Sequence, residues 1–292
     1  MGKQFNRAAE DLANVVGLEH VNLRAPDQRL ATLFYITGLG FTRDPYLVTG
    51  VVNMWVNVGR SQFHLPTAKP QVLRGRVGLV VPDLKYLAKS LKAVGPELRG
   101  TKFAFRSGTG HIDVTCPWGN KIRCHRPHAK FGATMLGMAY VQLDVPAGAA
   151  KGIARFYRDI LGTTATVKSF EKAPAAHVTV GYHQQLIFRE SKGRLPKYDG
   201  HHLQLYVNNF SQPYTKLRDR GLITEESGQH QYRFRDIVDP DSGEVLYALE
   251  HEIRSMTHPL YARPLINRNP AQTNAAFAPG YDDRPWAAPY TM

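Results

Sequence analysis

Alternating apolar and polar residues occur at four places along the chain, and a helical pattern follows each of them. Two of these segments, GLEHVNLRAPD at 17–27 and MAYVQLDVPAG at 138–148, contain a proline shortly before the helix begins. The other two, at 76–95 and 201–221, combine a strand with a helix in the same order. Side chains alternate between faces in a strand and repeat every 3.6 residues in a helix. The sequence therefore predicts a fourfold repeat of strand and helix.

Short strands complete each repeat. NMWVNVG and SQFHLP follow the first helix, and AHVTVGY and QQLIFRES follow the third. The second and fourth helices lead to hairpins with proline and glycine at the turns, HIDVTCPWGNKIRCHRP and FRDIVDPDSGEVLYALE, and both residues favour turns. Each repeat is thus a βαβββ module, and the four modules are predicted at 18–68, 75–127, 138–191 and 200–252.

The helices of the first and third modules carry Phe-Tyr and end at Leu-Gly (FYITGLG and FYRDILG), and the fourth module contains a DPDSG turn. Over residues 17–252 this pattern resembles the vicinal-oxygen-chelate superfamily of glyoxalases, bleomycin-resistance proteins and ring-cleaving dioxygenases. The resemblance implies an α+β fold in which four tandem βαβββ modules form two glyoxalase-like barrel domains. The expected segments are an N-terminal extension, two domains and an extended C-terminal arm, at 1–16, 17–128, 138–252 and 253–292.

The composition is that of an ordinary globular protein, with 43% apolar and 21% charged residues. No apolar run reaches the roughly 18 residues that a membrane-spanning helix needs, and MGKQFNRAAEDLANVV lacks the apolar stretch of a secretory signal. We therefore expect a cytoplasmic protein that has no membrane partner. With only Cys116 and Cys124, the sequence predicts neither a disulfide framework nor a thiolate metal cluster.

The formal net charge of +13 indicates an affinity for anions, because a positive field raises the encounter rate with negatively charged partners. The basic residues are scattered, however, and form no Lys/Arg block, zinc-finger spacing or recognition helix. We therefore expect a small, anionic substrate and no nucleic acid.

The apolar residues of each strand mark the face that packs on the helices, so the other residues are predicted to line a concave cleft. In the first strand, Val21 and Leu23 mark the core and leave His20 in the cleft. Applied to all four modules, the same test places in a cleft Trp55, Asn57, His64, Arg76, Arg123, Tyr140, Ile187, His202, Gln204 and Tyr247. Glu250, three residues after Tyr247, is expected on the opposite face of an unbroken strand.

The resembled family has two metal-ligand positions in each module, one near the start of its first strand and one on its last strand. By position these are His20 and His64, Arg76 and Arg123, Tyr140 and Ile187, and His202 and Tyr247. If neighbouring modules pair, neither cleft contains a credible metal site, because arginines repel a cation and isoleucine has no lone pair. If the first module meets the fourth, His20, His64, His202 and Tyr247 share one cleft and could hold a divalent metal. We prefer this composite site, in which the family's acidic ligand is missing.

The resulting hypothesis is an enzyme that uses Fe, Mn, Ni or Zn on a small oxygenated substrate, as a glyoxalase-like lyase or isomerase or as a ring-cleaving dioxygenase. His20, His64 and Tyr247 are the candidate catalytic residues. The candidate substrate-binding residues are Trp55, Asn57, Arg76, Arg123, Tyr140 and Gln204.

Three alternatives stay open. The two arginines could grip a carboxylate or phosphate, or could pair with acidic residues across the barrel. The protein could bind or sequester a small ligand without a metal, or it could be a metal-free enzyme with His20 or His64 as general base. The C-terminal arm could pack on the body of the chain or on the second chain of a homodimer.

Overall fold

The computed structural model of the protein describes residues 6–44, 52–263 and 265, which contain four βαβββ modules in sequence. The first consists of β1 (Val15–Asn22), α1 (Gln28–Ala31, continued by a π-helix at Thr32–Gly38), β2 (Thr42–Arg43), β3 (Asn53–Val58) and β4 (Ser61–Pro66). The second consists of β5 (Gly75–Val80), α2 (Leu84–Val94), β6 (Ala104–Gly108), β7 (His111–Thr115) and β8 (Lys121–His125). The third consists of β9 (Gly137–Pro146), α3 (Ala149–Asp159), β10 (Ala165–Phe170), β11 (Ala173–Thr179) and β12 (Gln185–Ser191). The fourth consists of β13 (His202–Val207), α4 (Ser211–Arg218), β14 (Ile223–Gly228), β15 (Gln231–Val238) and β16 (Val245–Ser255).

The strands form two eight-stranded mixed sheets. Sheet A has the order β14-β15-β16-β13-β1-β4-β3-β2 and combines the first and fourth modules. Sheet B has the order β10-β11-β12-β9-β5-β8-β7-β6 and combines the second and third modules. In each sheet the first strands of the two modules pair antiparallel at the centre. The predicted α+β fold of four modules in two barrel-like sheets is confirmed.

The sheets do not follow the predicted division of the chain into 17–128 and 138–252, because each sheet takes one module from each segment. The helices pack within these segments: the π-helix at Thr32–Gly38 lies against α2, and α3 lies against β15 and β16. The main buried core contains residues of all four modules. Sheets and helices thus connect the modules in two different ways.

The Phe-Tyr pairs of the repeat are packing residues. The ring of Tyr35 lies 5.1 Å from that of Phe63 in β4, and the ring of Tyr157 lies 5.4 Å from that of Phe188 in β12. All four rings are fully buried. The repeated motif therefore fixes each helix on the last strand of its own module.

Helix α2 shows how local sequence sets an element boundary. The Asp83 carboxylate accepts hydrogen bonds from the backbone N–H groups of Lys85 and Tyr86, at 2.7 and 3.0 Å. Such a cap satisfies amides that have no partner within the helix. Leu87 and Leu91, one helical turn apart, are buried.

The described part of the C-terminal arm packs over sheet A. The ring of Tyr261 lies 4.8 Å from that of Tyr206 in β13. Arg263 forms a buried ion pair with Asp44. The rest of the predicted arm, at 264 and 266–292, lies outside the described residues.

The composition predicted no membrane-spanning helix and no disulfide framework. Among the described residues, no helix is both long enough and apolar enough to cross a lipid bilayer. Cys116 and Cys124 are buried free thiols. Burial raises the pKa of Cys124 to about 12, so this residue acts as a small core side chain.

Candidate metal centre

The concave face of sheet A contains three histidines from three strands. On β1, Asn22 lies opposite His202 of β13 on one side and opposite His64 of β4 on the other. His20, two residues earlier on β1, points to the same face. Its ring centre lies 5.7 Å from that of His64 and 5.8 Å from that of His202. The structure therefore brings together the three histidines of the composite site.

Tyr247 lies on the opposite face of sheet A. It pairs with the buried Ile237 of β15, and its ring lies 6.1 Å from that of Phe188. The guanidinium carbon of Arg74 lies 4.0 Å from the centre of the same ring. This corrects the expected placement of Tyr247, since its side chain belongs to the hydrophobic core and does not reach the histidines.

Glu252 of β16 lies in the same cleft as the histidines. β13 and β16 are parallel neighbours in which His202 is opposite Glu250 and Gln204 is opposite Glu252. Directly paired residues present their side chains on the same face of a sheet. The cleft therefore contains a candidate acidic ligand, which corrects the expectation that the family's acidic ligand is missing.

A signal for Glu252 was present in the sequence. β16 continues to Ser255, beyond the predicted module end at residue 252. Glu250 and Glu252 alternate with the buried Leu249 and Ile253, which identifies the acidic residues as the cleft face. The polar His251 occupies a core position between them, which obscured the alternation.

The donor atoms of His20, His202 and Glu252 lie within 4.8 Å of one another. Nε2 of His202 is 3.7 Å from Oε2 of Glu252. Nδ1 of His20 donates to Oε2 of Glu19 at 3.1 Å, which leaves Nε2 as the acceptor of that ring. Within the described residues, neither His20 Nε2 nor His202 Nε2 has a hydrogen-bond partner. Two imidazole lone pairs and one carboxylate thus converge in a buried space.

A β-bulge places Glu19 beside His20. The register of β1 on β13 slips between Leu18 and His20, so Glu19 is an extra residue in the ladder, as in other bulges. Its carboxylate also accepts hydrogen bonds from the Tyr206 hydroxyl at 3.0 Å and from Arg254 at 2.9 Å. Three side chains, those of Glu19, Tyr206 and Arg254, therefore hold the Nδ1 side of His20 in place.

Two arginines balance most of the acidic charge. Arg254 lies between Glu19 and Glu252, with NH2 at 2.7 Å from Oε1 of Glu252. Arg233 contacts Glu250 at 2.8 Å and also contacts Glu252. Three carboxylates against two guanidinium groups leave an excess of negative charge. Each carboxylate oxygen has two lone pairs, so Glu252 can face the arginines and a cation at the same time.

Burial keeps the histidines neutral. Burial, and next the charge of Arg254, hold the pKa of His20 well below its usual value. Burial lowers the pKa of His64 to about 2 and also lowers the pKa of His202. Burial raises the pKa of Glu252, against the lowering effect of the arginines. Neutral imidazoles have the free lone pair that metal binding requires.

More polar atoms of this cleft have no protein partner. Within the described part of the chain, Asn22 Oδ1, His64 Nε2 and both polar atoms of the Gln204 side chain form no hydrogen bond. An unsatisfied buried polar group costs about 1–3 kcal/mol, and native proteins contain few of them. Their concentration around the histidines indicates a cleft that binds an ion, water or a ligand.

Trp55 forms one wall of the histidine cluster. Its ring stacks on His64 with centres 3.9 Å apart, and it meets the edge of His20 at 4.9 Å. Asn57, the neighbouring substrate-contact candidate, accepts a hydrogen bond of 2.6 Å from Gln62. Trp55 therefore fixes the orientation of His64, whereas Asn57 is bonded to the adjacent strand.

Comparison with known proteins agrees with this architecture. Neither a family model nor a curated protein sequence matches the chain. Among solved structures, glyoxalase I from Zea mays aligns over 82% of this chain and 92% of its own, with a TM-score of 0.60 and 15% identity. A proposed dioxygenase from Bacillus subtilis aligns over 90% of this chain and 89% of its own, with a TM-score of 0.58 and 14% identity. The chain has the vicinal-oxygen-chelate fold.

The two clefts of this vicinal-oxygen-chelate fold differ in chemistry. In sheet B, the positions equivalent to the three histidines hold Arg76, Arg123 and Tyr140, and the position equivalent to Glu252 holds Ile187. Arg76 bonds to Glu171, and Arg123 bonds to Asp113 at 2.6 and 3.0 Å. The hydroxyl of Tyr140 lies 3.0 Å from Nε2 of His125. The arginines are therefore separate from the histidines and have acidic partners.

Proposed function

We propose that the protein is a divalent-metal-dependent enzyme whose metal would be held by His20, His202 and Glu252. The observation that carries this proposal is the convergence of two unpartnered imidazole nitrogens and one carboxylate within 4.8 Å among the described residues. Ligands bound to one ion at about 2.0 to 2.2 Å lie roughly 3 to 4 Å apart. Small side-chain rotations would close the difference, and the excess negative charge favours a cation.

The donor set favours iron. Two histidines and one carboxylate with open coordination positions are typical of non-haem Fe(II) oxygenases. When bound, such an ion would act as a Lewis acid toward two neighbouring oxygens of a substrate and would activate dioxygen. We therefore favour a dioxygenase that acts on a small substrate with two adjacent hydroxyl groups, as in a catechol.

His64 is the proposed proton acceptor. Its Nε2 has no hydrogen-bond partner among the described residues, and its ring is held against Trp55. Burial keeps the imidazole neutral, so it can accept a proton from a substrate hydroxyl. The negative charge that this transfer creates on the substrate oxygen would raise the proton affinity of the ring.

Gln204 is the proposed substrate-orienting residue. It lies between His20 and Glu252 in the paired strands β1, β13 and β16. The amide offers both donors and an acceptor, and these are unpartnered within the described residues. A bound substrate oxygen can satisfy them.

A glyoxalase-like isomerase or lyase is the second candidate. The position of His64 on β4 favours it, because a third imidazole beside the three donors could move a proton between neighbouring carbons. The two candidates differ in whether dioxygen is consumed. Catechols and small dicarbonyls, assayed with an oxygen electrode and by absorbance, distinguish them.

Metal binding tests the centre directly. After loading with Fe(II) without oxygen, the wild-type chain is expected to retain metal through gel filtration. His20→Ala, His202→Ala and Glu252→Gln should lower metal affinity by more than about 100-fold, because each removes a direct ligand and loss of a supporting group alone already costs 10–100-fold. Elemental analysis measures the metal content.

Tyr247→Phe is the matched control. It removes the phenol that the sequence placed in the site and the structure places in the core, so metal content should match that of the wild type. Wild-type metal content in all three ligand variants would reject the metal centre and leave a metal-free binding cleft.

A further inference from the structure

The concave face of sheet B contains a second cavity, of about 710 Å³. It is lined at one end by Arg76, Arg123 and Tyr140. Guanidinium groups have no lone pair for a metal and bind carboxylates or phosphates instead. This cavity therefore differs in chemistry from the histidine cleft.

Part of the cavity wall is apolar, and we call this part the floor. Phe131, Ala139 and Ile187 line it and belong, together with Tyr140, to a buried cluster that is separate from the main core. Phe170 packs against the same cluster from the side. A surface of this kind fits the hydrocarbon or aromatic part of a ligand.

Tyr140 lies across the backbone of β5. A Cβ atom at Gly78 would come within 2.1 Å of the Tyr140 ring. The glycine therefore allows the aromatic ring to lie flat beside the arginines. The aromatic surface and the positive charges are thus adjacent.

A carboxylate of the chain itself occupies the arginine pair. Arg76 NH2 and Arg123 NH1 both donate to Oε1 of Glu171, the second at 2.9 Å. Glu171 belongs to the turn between β10 and β11 and its side chain is 41% exposed, against 14% for Arg76 and 21% for Arg123. The Glu171 carboxylate therefore extends inward from a surface turn to two arginines that are more buried than Glu171 itself.

Of the two arginines, Arg76 has fewer acidic partners. Asp113 already binds Arg123 through two hydrogen bonds. Among the described residues, Glu171 is the only acidic group paired with Arg76. Lys130 adds positive charge to the lining, and the exposed Glu10 and Asp11 add negative charge at the mouth.

We propose that this second cavity binds a small organic carboxylate with an aromatic or branched apolar body. The ligand carboxylate takes the place of Glu171 on Arg76 and Arg123, and its body lies on the apolar floor beside Tyr140. Glu171 acts as an internal competitor, so its displacement sets the affinity. The site contains no group of the metal centre and does not depend on it.

Benzoate is the probe, and the full chain is first stripped with a chelator so that no metal can bind the carboxylate. Isothermal titration is expected to show weak binding of benzoate to the wild type, in the millimolar range. Glu171→Gln keeps the side-chain shape but removes the competing charge, so it should bind benzoate about tenfold more tightly. Arg76→Gln should abolish binding.

Three controls define the result. Benzyl alcohol, which has the same body without the charge, should bind to neither the wild type nor Glu171→Gln. Glu10→Gln removes a charge at the mouth without contacting the arginines, and its affinity should stay within about twofold of the wild type. Circular dichroism confirms that each variant is folded.

The proposal is overturned if Glu171→Gln binds benzoate no more tightly than the wild type, or if folded Arg76→Gln binds it equally well. Inorganic phosphate tests the apolar part of the proposal. Phosphate binding as tight as that of benzoate would show a general anion site and would reject the role of the floor.

Discussion

At the scale of single residues, two carboxylates determine what His20 can do. Glu19 holds Nδ1 of the ring, and Glu252 lies on the other side with His202. A carboxylate behind a histidine fixes its tautomer, orients its ring and raises its basicity as a ligand. Glu19 is therefore a positioning residue for the proposed metal centre.

Glu19→Gln tests this role. The amide keeps the size of the side chain but loses the charge that faces Nδ1 of His20 and Arg254. Metal affinity is expected to fall by about 10–100-fold, less than for loss of a direct ligand. Competition with a chromophoric chelator measures the affinity.

Asp113→Asn is the control, because it changes another arginine-paired carboxylate that lies in sheet B, whereas His20, His64 and His202 lie in sheet A. Its metal affinity should equal that of the wild type. If Glu19→Gln binds metal as tightly as the wild type, Glu19 has no positioning role, even if Glu252 remains a ligand.

Residue-scale prediction from sequence succeeded where side-chain alternation was clear. Val21 on β1 and Leu23 directly after it identified the cleft face of His20, and the structure places His20 there. On β16 a buried histidine stands at a core position, so polarity alone pointed to the wrong face. His251 is satisfied in the core by the Tyr157 hydroxyl, 2.6 Å away, and the Leu249 carbonyl, 2.7 Å away. Tyr157 is 94 residues away in the sequence, so this partner cannot be read from a local pattern.

At the scale of elements, strands and helices followed the sequence closely because their signals are local. The cap of α2 illustrates this. Asp83 precedes the helix and bonds to two of its first amides. The same type of residue, Asp27, caps α1 by accepting from the N–H of Leu30.

Asp83→Ala is expected to lower the free energy of unfolding by about 1 kcal/mol, because two amides of the first turn lose their partner. Asp83→Asn retains a side-chain oxygen and should stay close to the wild type. Urea denaturation followed by circular dichroism measures both. Equal stability of the wild type and Asp83→Ala would show that water replaces the cap without cost.

The pairing of the modules could not be read from local patterns. Every module has the same strand and helix order, so alternation and turn residues do not indicate which modules share a sheet. The composite site depended on a choice between pairings that was made from side-chain chemistry alone. The register that pairs His20 with Gln204 depends on tertiary structure and cannot be derived from the sequence of either strand.

At the scale of the whole molecule, several histidines are held neutral by burial. Burial lowers the pKa of His251 to about 3 and the pKa values of His125 and His258 to about 4. In the unfolded chain these groups titrate near 6.5. Below that pH the unfolded state binds more protons than the folded state, so stability decreases as the pH falls.

The chain without metal is therefore expected to lose stability as the pH is lowered from about 7.5 to about 5. Each buried histidine contributes up to about 1.4 kcal/mol per pH unit below 6.5. His251→Phe removes one such group, so its stability should depend less steeply on pH even if its absolute stability is lower. Thermal and urea unfolding at several pH values measure the slope.

His183→Asn, at an exposed turn, is the control and should keep the wild-type slope. An identical slope for the wild type and His251→Phe would mean that His251 takes up a proton within the folded protein without a penalty.

The order in which the modules pair also constrains how the chain can assemble during synthesis. The second and third modules are consecutive, so the strands of sheet B leave the ribosome one after another. The first module cannot form its sheet with the fourth until the fourth has been synthesised, because His20 on β1 pairs with Gln204, about 180 residues later. Contacts so distant in sequence form slowly. The inner pair of modules can therefore close first, nested within the outer pair, and the histidine cleft is complete only when the last strand of the fourth module has been made.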